Sequence, residues 1–284
     1  MASAKDIRRR IRTVKNIQKI TNAMKMVAAA RLRKAQDRAE AARPYAAAMR
    51  RMVQNAAAGA GDISHPLLEV REERSSVFVV IGADRGLAGS YNANVMQAAL
   101  RAIGDRDPET VKLALVGKKA VSFFRRRPYG VLDNVENLGS AVGFGDIAPI
   151  ARRVRSLFES CQTDAAYLVY ARFITPMRQQ PAVVRLLPME PPEARDCGSG
   201  DFEFEPPAAD LLASLLPRYV DTQLYQALVE AQASEHGARM TAMSAATENA
   251  GEMLDALTLM YNKARQAAIT SEILEVVTAA EALK

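Results

Sequence analysis

The feature that most constrains this chain is a strict repeat near its C-terminal end. Met240, Met243, Thr247, Ala250, Leu254, Leu257, Tyr261, Ala264 and Ala268 follow one another at steps of three and four in regular alternation. Four such heptads keep one seam of an α-helix facing a partner in a left-handed coiled coil. The small residues Ala250, Ala264 and Ala268 let a partner backbone come close. From Ala208 to Leu283 the only proline is Pro217, near the start, and two glycines, Gly237 and Gly251, fall inside. The spacing predicts one helix over this whole stretch.

The N-terminal end has the same character. Between Ser3 and Ala58 there is one proline, Pro44, and no glycine, and strong helix formers dominate. Ser3 followed by Asp6 reads as a helix start. Ile7, Ile11, Val14, Ile17, Ile20, Met24 and Val27 recur at helical steps. About 55 residues of helix make a rod of roughly 80 Å. A globule of this length has a radius of gyration of only about 19 Å. Neither helix fits inside such a body, so the expected arrangement folds the C-terminal helix back along the N-terminal one, antiparallel, as a coiled coil.

Charge separates the two ends. Residues 1–58 carry 15 Lys/Arg against 3 Asp/Glu, a net of +12, whereas residues 208–284 carry 5 against 10, a net of −5. A basic rod suits acidic protein loops, nucleic acid or an anionic membrane, and it also suits a plain solvated face. No aromatic residue precedes Tyr45 and the charges are spread around the helix, so nucleic acid is not specifically signalled. No apolar run reaches the roughly 18 residues of a membrane span. The first residues, MASAKDIRRR, lack the apolar core of a secretory signal.

Between the ends the pattern alternates. Residues 75–83 (SSVFVVIGA), 111–117, 165–173 and 182–189 read as strands. Asn92–Ile103 and Lys118–Arg126 read as helices, as does a stretch from Asp146 with Ile147, Ile150, Val154, Leu157 and Cys161 on one face. This predicts an α/β central domain with a doubly wound, Rossmann-like parallel sheet. The expected organisation is an N-terminal shaft helix over 1–58, the α/β domain over 75–190, a proline-rich linker over 191–207 and a C-terminal shaft helix over 208–284.

Candidate chemistry is sparse. The loop GADRGLAGSYNAN after the first strand lies where doubly wound folds bind phosphate, yet its glycines Gly82, Gly86 and Gly89 match neither GxGxxG nor GxxxxGK[ST]. It reads as a structural turn. His65 reads as a loop residue and His236 as part of the long helix, and Cys161 and Cys197 form no metal or redox pair and no cluster with them. Cys161 is expected to be buried and Cys197 to lie in a loop. No catalytic group, cofactor or metal site is expected. The C-terminal tip is different: beyond Ala268 the residues Ile269, Ile273, Leu274, Val276, Val277 and Leu283 point several ways. A terminal helix apolar on more than one side suits a sleeve formed by other proteins.

The segments KDIRRRIRTVKNIQKITNAMKMVAAARLRKAQ (5–36), GADRGLAGSYNAN (82–94) and MYNKARQAAITSEILEVV (260–277) resemble the gamma subunits of F-type ATP synthases. The resemblance covers both terminal helices and the first strand of the middle domain, and 125–205 follows in pattern only. Ala279 and Ala280 stand where the family usually has a glycine followed by alanine. The resemblance implies a central rotor without an active site of its own. Its partners are an alpha/beta hexamer, an epsilon subunit and a membrane ring of c subunits; nucleic acid is not among them. It implies rotor–stator contacts at Met24, Arg239, Gln266, Thr270, Glu272 and Glu275, an apolar bearing at Ile269, Ile273, Leu274, Val276 and Val277, and acidic lever loops on beta facing the basic helix. The two cysteines do not resemble the regulatory pair of chloroplast members. A bacterial origin follows, with the chain held peripherally at the cytoplasmic face of the plasma membrane through the complex. Two other readings compete: a stand-alone nucleotide-binding α/β enzyme and a basic coiled-coil nucleic-acid-binding protein.

Overall fold

The computed structural model describes residues 4–59, 65–139, 142–189, 205 and 207–282. Helix-forming composition at both ends yields helix α1 (Ala4–Gly59) and helix α5 (Ala208–Ala282). Pro44 and Pro217 are accommodated inside them. Between them lie β1 (Ser76–Ile81), α2 (Tyr91–Ile103), β2 (Val111–Val116), α3 (Lys118–Phe124), β3 (Gly130–Val135), α4 (Phe144–Glu159), β4 (Ala165–Thr175) and β5 (Arg178–Leu187). The chain forms two compact units, one from Met1–Val27 with Met240–Lys284 and the other from Ala28–Arg239.

The first unit is a helix pair. Thr247 Oγ1 donates to Thr21 Oγ1 at 2.8 Å. A Cβ on Gly251 would meet Gln18 Nε2 at 3.3 Å. Higher numbers on α5 meet lower numbers on α1, so the pair is antiparallel. The heptad seam of α5 is the buried edge: Met243 and Ala250 are buried, and Thr247, Leu254, Leu257, Tyr261 and Ala264 are half-buried. Their neighbours from Glu252 onward are exposed. The seam ends there, since Ala268 is exposed. By the Thr21–Thr247 register, the first described residue of α1 lies opposite Ala264.

On α1 the seam differs from the apolar stripe of the sequence. Ile7 and Val14 are buried and Ile11 half-buried, but the line continues through Gln18 and Thr21. Ile17, Ile20 and Val27 are exposed. The reason is geometric. Three residues advance a helix about 300°, so the two successive three-residue steps from Val14 to Ile17 to Ile20 turn the stripe away from the seam by about 60° each time.

The second unit is a five-stranded sheet in the order β3-β2-β1-β4-β5. Strands β1 to β4 run parallel, and β5 pairs antiparallel to β4. Alternation along β1 assigns its two faces. Val77, Val79 and Ile81 join a core with α1, α4 and α5, while Phe78 and Val80 join a core with α2 and α3. The doubly wound expectation therefore holds, with one strand reversed. Only Pro176 and Met177 separate β4 from β5. So short a link joins antiparallel neighbours, because a parallel crossover takes a dozen residues or more. Strand β3 was not anticipated: GVLDNV lies at the sheet edge, half exposed and partly polar.

Helix α4 buries Ile147, Ile150, Val154 and Leu157 as expected. Cys161 departs from expectation. The helix ends at Glu159, and Cys161 follows in the left-handed region at φ 55°, exposed. Cys197, Ser3, Leu283 and all of the 191–207 linker except Glu205 and Pro207 lie outside the described residues.

Two glycines allow β1 and β2 to end close together. Gly117 has φ +90°, and a Cβ there would sit 2.5 Å from Gly82 O. Gly82 in turn donates its N–H to Val116 O at 2.8 Å. Gly117→Ala should cost about 3 kcal/mol, combining left-handed strain with steric overlap. Gly86→Ala should be nearly neutral, since its nearest contact is the flexible Lys119 Cε at 3.7 Å. Thermal unfolding of the two variants checks the contrast, and equal melting points would refute the close-approach argument.

Candidate functional site

The glycine-containing loop after β1 is held on all sides by the protein itself. Ala83 N–H donates to Asn92 Oδ1 at 3.0 Å. Asp84 Oδ1 accepts from the N–H groups of Lys118 and Asn137, both at 3.0 Å, tying together the chain segments after β1, β2 and β3. Arg239 on α5 clamps the loop's tip. Its Nη2 donates to Gly86 O at 3.2 Å and Arg85 O at 3.3 Å, and its Nε to Gly86 O at 3.3 Å. These contacts make the loop a structural turn.

The clamp belongs to a buried polar cluster on one stretch of α5. Arg239 Nη2 meets Glu235 Oε1 at 2.7 Å, an i,i+4 pair in which both side chains are largely enclosed. Burial pushes the Glu235 carboxyl up, and the Arg239 charge only partly offsets it. Arg239 Nη1 also lies 3.3 Å from His236 Nδ1. Burial, followed by the charges of Arg239, Arg31 and Arg38, lowers His236 to about 4. The ring is thus neutral at ordinary pH. Arg has no acceptor, so Nδ1 accepts and the proton sits on Nε2. Gln232 Nε2, one turn earlier, donates to Gly139 O at 3.1 Å.

Further contacts fix α5 against the sheet. Tyr91 OH donates to Ala231 O at 3.1 Å, Ser234 Oγ to Ala171 O at 2.8 Å, and Phe173 N–H to Glu230 Oε1 at 3.1 Å. Gly237 lies against the β4–β5 turn, where a Cβ would meet Pro176 at 3.3 Å.

The other sequence-derived site residues lie in the helix pair. Met24 is half-buried, and Gln266, Thr270, Glu272 and Glu275 are exposed. Thr270 Oγ1 is turned onto its own helix, donating to Gln266 O at 2.9 Å, and Ser271 Oγ donates to Glu275 Oε1 at 3.4 Å. Ile269, Ile273, Leu274, Val276 and Val277 are all exposed, as are Met253, Leu259 and Met260 on α5 and Ile17, Ile20, Met26 and Val27 on α1. Arg239 stands apart from this group, being 7% exposed and engaged inside the sheet-bearing unit.

The cluster Gln232–Glu235–His236–Arg239 went unread in the sequence apart from Arg239. The signal present was the i,i+4 spacing of Glu235 and Arg239 on the long C-terminal helix. What faced them, the carbonyls of Arg85 and Gly86, lies some 150 residues away.

The family described as ATP synthase matches residues 3–283. A protein of Solibacter usitatus named ATP synthase gamma chain is 50% identical over 99% of both chains. Among solved structures, a chain of the central stalk/c-ring of the Tetrahymena thermophila mitochondrial ATP synthase is 27% identical with a TM-score of 0.61, covering 80% of this chain and 99% of that one. A chain of the Euglena gracilis mitochondrial ATP synthase OSCP/F1/c-ring assembly shares the fold at a TM-score of 0.70 and 21% identity, covering 99% and 94%.

Removing one member of the buried pair strands the other. Arg239→Met should destabilise the chain by about 3–5 kcal/mol, while Arg239→Met combined with Glu235→Gln should lose markedly less. Denaturant unfolding of both singles and the double variant measures this, and strictly additive losses would contradict a coupled pair.

Proposed function

The chain belongs to the ATP synthase gamma-chain family, and on that premise we propose that it is the central rotor of a proton-translocating F-type ATP synthase, coupling proton flow to ATP synthesis. The observation that carries this reading is the surface of the helix pair. Its seam is satisfied within the chain, whereas the apolar residues off the seam and beyond Ala264 are exposed. Those residues are what a surrounding assembly covers.

In this reading the tip residues Ile269, Ile273, Leu274, Val276 and Val277 form an apolar bearing within the alpha/beta hexamer. Met24, Gln266, Thr270, Glu272 and Glu275 meet the catalytic subunits. Arg239, which the family resemblance places at the rotor–stator contacts, holds the Arg85–Gly86 turn through its guanidinium. The exposed cations of α1, among them Arg8, Arg9, Arg10, Arg12, Lys15 and Lys19, favour acidic loops on the partner. Charges enclosed between partners are screened less than those on open surface, so they contribute to the fit. The sheet-bearing unit docks on the epsilon subunit and the c-ring. The shaft helices over 1–58 and 208–284, the α/β domain over 75–190 and the linker over 191–207 then serve as working parts of one rotor.

Catalysis belongs to the partners in this proposal. The Asp84 loop is occupied by structural hydrogen bonds. Membrane attachment comes through the complex, at the cytoplasmic face of a bacterial plasma membrane. Among the described residues, no helix is long and apolar enough to cross a membrane.

A charge placed at Met24 tests the mechanical role. In the reconstituted complex Met24→Lys should lower proton pumping per ATP hydrolysed more than it lowers hydrolysis itself. The purified chain alone should show no ATP turnover. Unchanged pumping per ATP, or turnover by the isolated chain, would overturn the proposal.

A further inference from the structure

Strand β4 outruns its neighbour. It pairs with β1 only as far as Val169, opposite Val80, yet it continues along β5 to Thr175. Beyond Ile81 the chain leaves the β4 side: Gly82 gives its N–H to Val116 O and Ala83 gives its N–H to Asn92 Oδ1. A notch is left in the sheet beside the last residues of β4. Ala171 and Phe173 face it. Their main-chain groups point to one edge, because the direction alternates from residue to residue along a strand. That edge is the one away from β5, since Pro181, opposite Ala171, has no N–H to offer.

Helix α5 takes the place of the missing strand. Ser234 Oγ donates to Ala171 O at 2.8 Å, and Phe173 N–H donates to Glu230 Oε1 at 3.1 Å. Two side chains of a helix thus meet the main-chain groups that a strand would otherwise meet, and Ser234 is fully buried while doing so. Tyr170 also hydrogen-bonds the Glu230 side chain and so holds its carboxyl in place. Beside this edge α5 passes from one face of the sheet towards the other. Leu228 and Ala231 belong to the core on the first face, whereas Ala238 packs against the core on the second.

The notch has a second wall. Tyr91 OH, at the start of α2, donates to Ala231 O at 3.1 Å, and Arg239 holds the carbonyls of Arg85 and Gly86. Gly237 brings the helix against the β4–β5 link, where a Cβ would meet Pro176 at 3.3 Å. A helix laid on one face by apolar contact can roll, because burial has no preferred direction. A helix set between two walls and bonded to both cannot roll without breaking directional contacts.

We propose that this notch is where torque passes between the sheet-bearing unit and the shaft, with Ser234 and Glu230 as the positioning residues that lock α5 against β4. The inference rests on the rotor reading and goes beyond it, by assigning the transmission to two side chains and one strand edge. Apolar packing of α5 supplies its attachment, and the clasp on β4 supplies its angular stiffness.

Single-molecule rotation tests it, in the reconstituted complex carrying the full chain with Cys197→Ser and a bead attached through Cys161. Cys161 is exposed and belongs to the sheet-bearing unit, so the bead reports twist between that unit and the surface-fixed alpha/beta hexamer. With rotation paused, Glu230→Leu combined with Ser234→Ala should widen the angular variance by about 1.5-fold or more, since the lost contacts are the directional ones. Each single variant should widen it less, and these carry the test if the double variant fails to assemble. Glu230→Gln keeps an acceptor for Phe173 N–H and should leave the variance at its original width. Ile103→Ala removes buried apolar volume at the end of α2 remote from Tyr91. It should lower the melting temperature without widening the variance, whereas a merely structural role makes variance follow melting temperature in every variant. Unchanged variance on loss of the clasp, or variance that tracks melting temperature throughout, overturns this inference alone. Absence of ATP-driven rotation with the unaltered chain overturns the rotor reading and this inference with it.

Discussion

The register between α1 and α5 is the constraint on which the rest of the helix pair depends. Once Thr247 meets Thr21 and Gly251 admits Gln18, every other residue on both helices is assigned to the seam or to the outside. The seam is built of small and medium residues, including Ala250, Ala264 and Thr247, rather than a continuous line of leucines. Such residues bring backbones close but bury little apolar area. The large apolar side chains Ile17, Ile20, Val27, Met253 and Leu259 are consequently left outside. The same register that closes the pair leaves them exposed.

The sheet-bearing unit solves a different problem. Helix α5 must lie on a twisted sheet, whose apolar face would tolerate several positions. Leu212, Leu216, Val220, Leu224 and Leu228 supply the burial. Burial is non-directional and fixes position poorly. Selection of one position falls to the polar contacts further along, where Glu230, Ala231, Ser234 and Arg239 meet β4, α2 and the turn after β1. The buried Glu235–Arg239 pair is expensive to desolvate, and Glu235 shows that expense in its raised pKa. Its return is geometric: a guanidinium held by a carboxylate can aim several donors at two carbonyls of one turn.

Periodicity carried most of this into the sequence. The C-terminal seam was readable position by position through Ala264, because heptads over a glycine-poor and proline-poor stretch have one interpretation. The N-terminal stripe misled at Ile17, Ile20 and Val27, because this helix has two apolar faces and only one of them is used inside the chain. Strands β1, β2 and β4 announced themselves as buried apolar runs, whereas β3 at the edge carries Asp133 and Asn134 and did not. Cys161 lies two residues past the end of a helix that the apolar spacing carried onward, and no pattern in the residues marked the stop. The polar cluster on α5 was hidden for a different reason. Its partners are backbone carbonyls, which every residue possesses, so nothing in the side chains of Arg85 or Gly86 advertises the contact.

The same distinction between apolar and polar contact bears on transmitting torque. A helix packed only through apolar side chains can rotate or slide against its support, since neighbouring packings differ little in area. Hydrogen bonds cannot follow such a motion, because they weaken steeply once the angle at the hydrogen departs from straight. On α5 the anchoring residues Glu230, Ala231, Ser234 and Arg239 fall within three turns, and their partners come from β4, the first turn of α2 and the loop after β1. Rotation about the helix axis therefore strains several of these contacts together, and no single new rotamer restores them. A helix joined to a sheet in this way turns when the sheet turns.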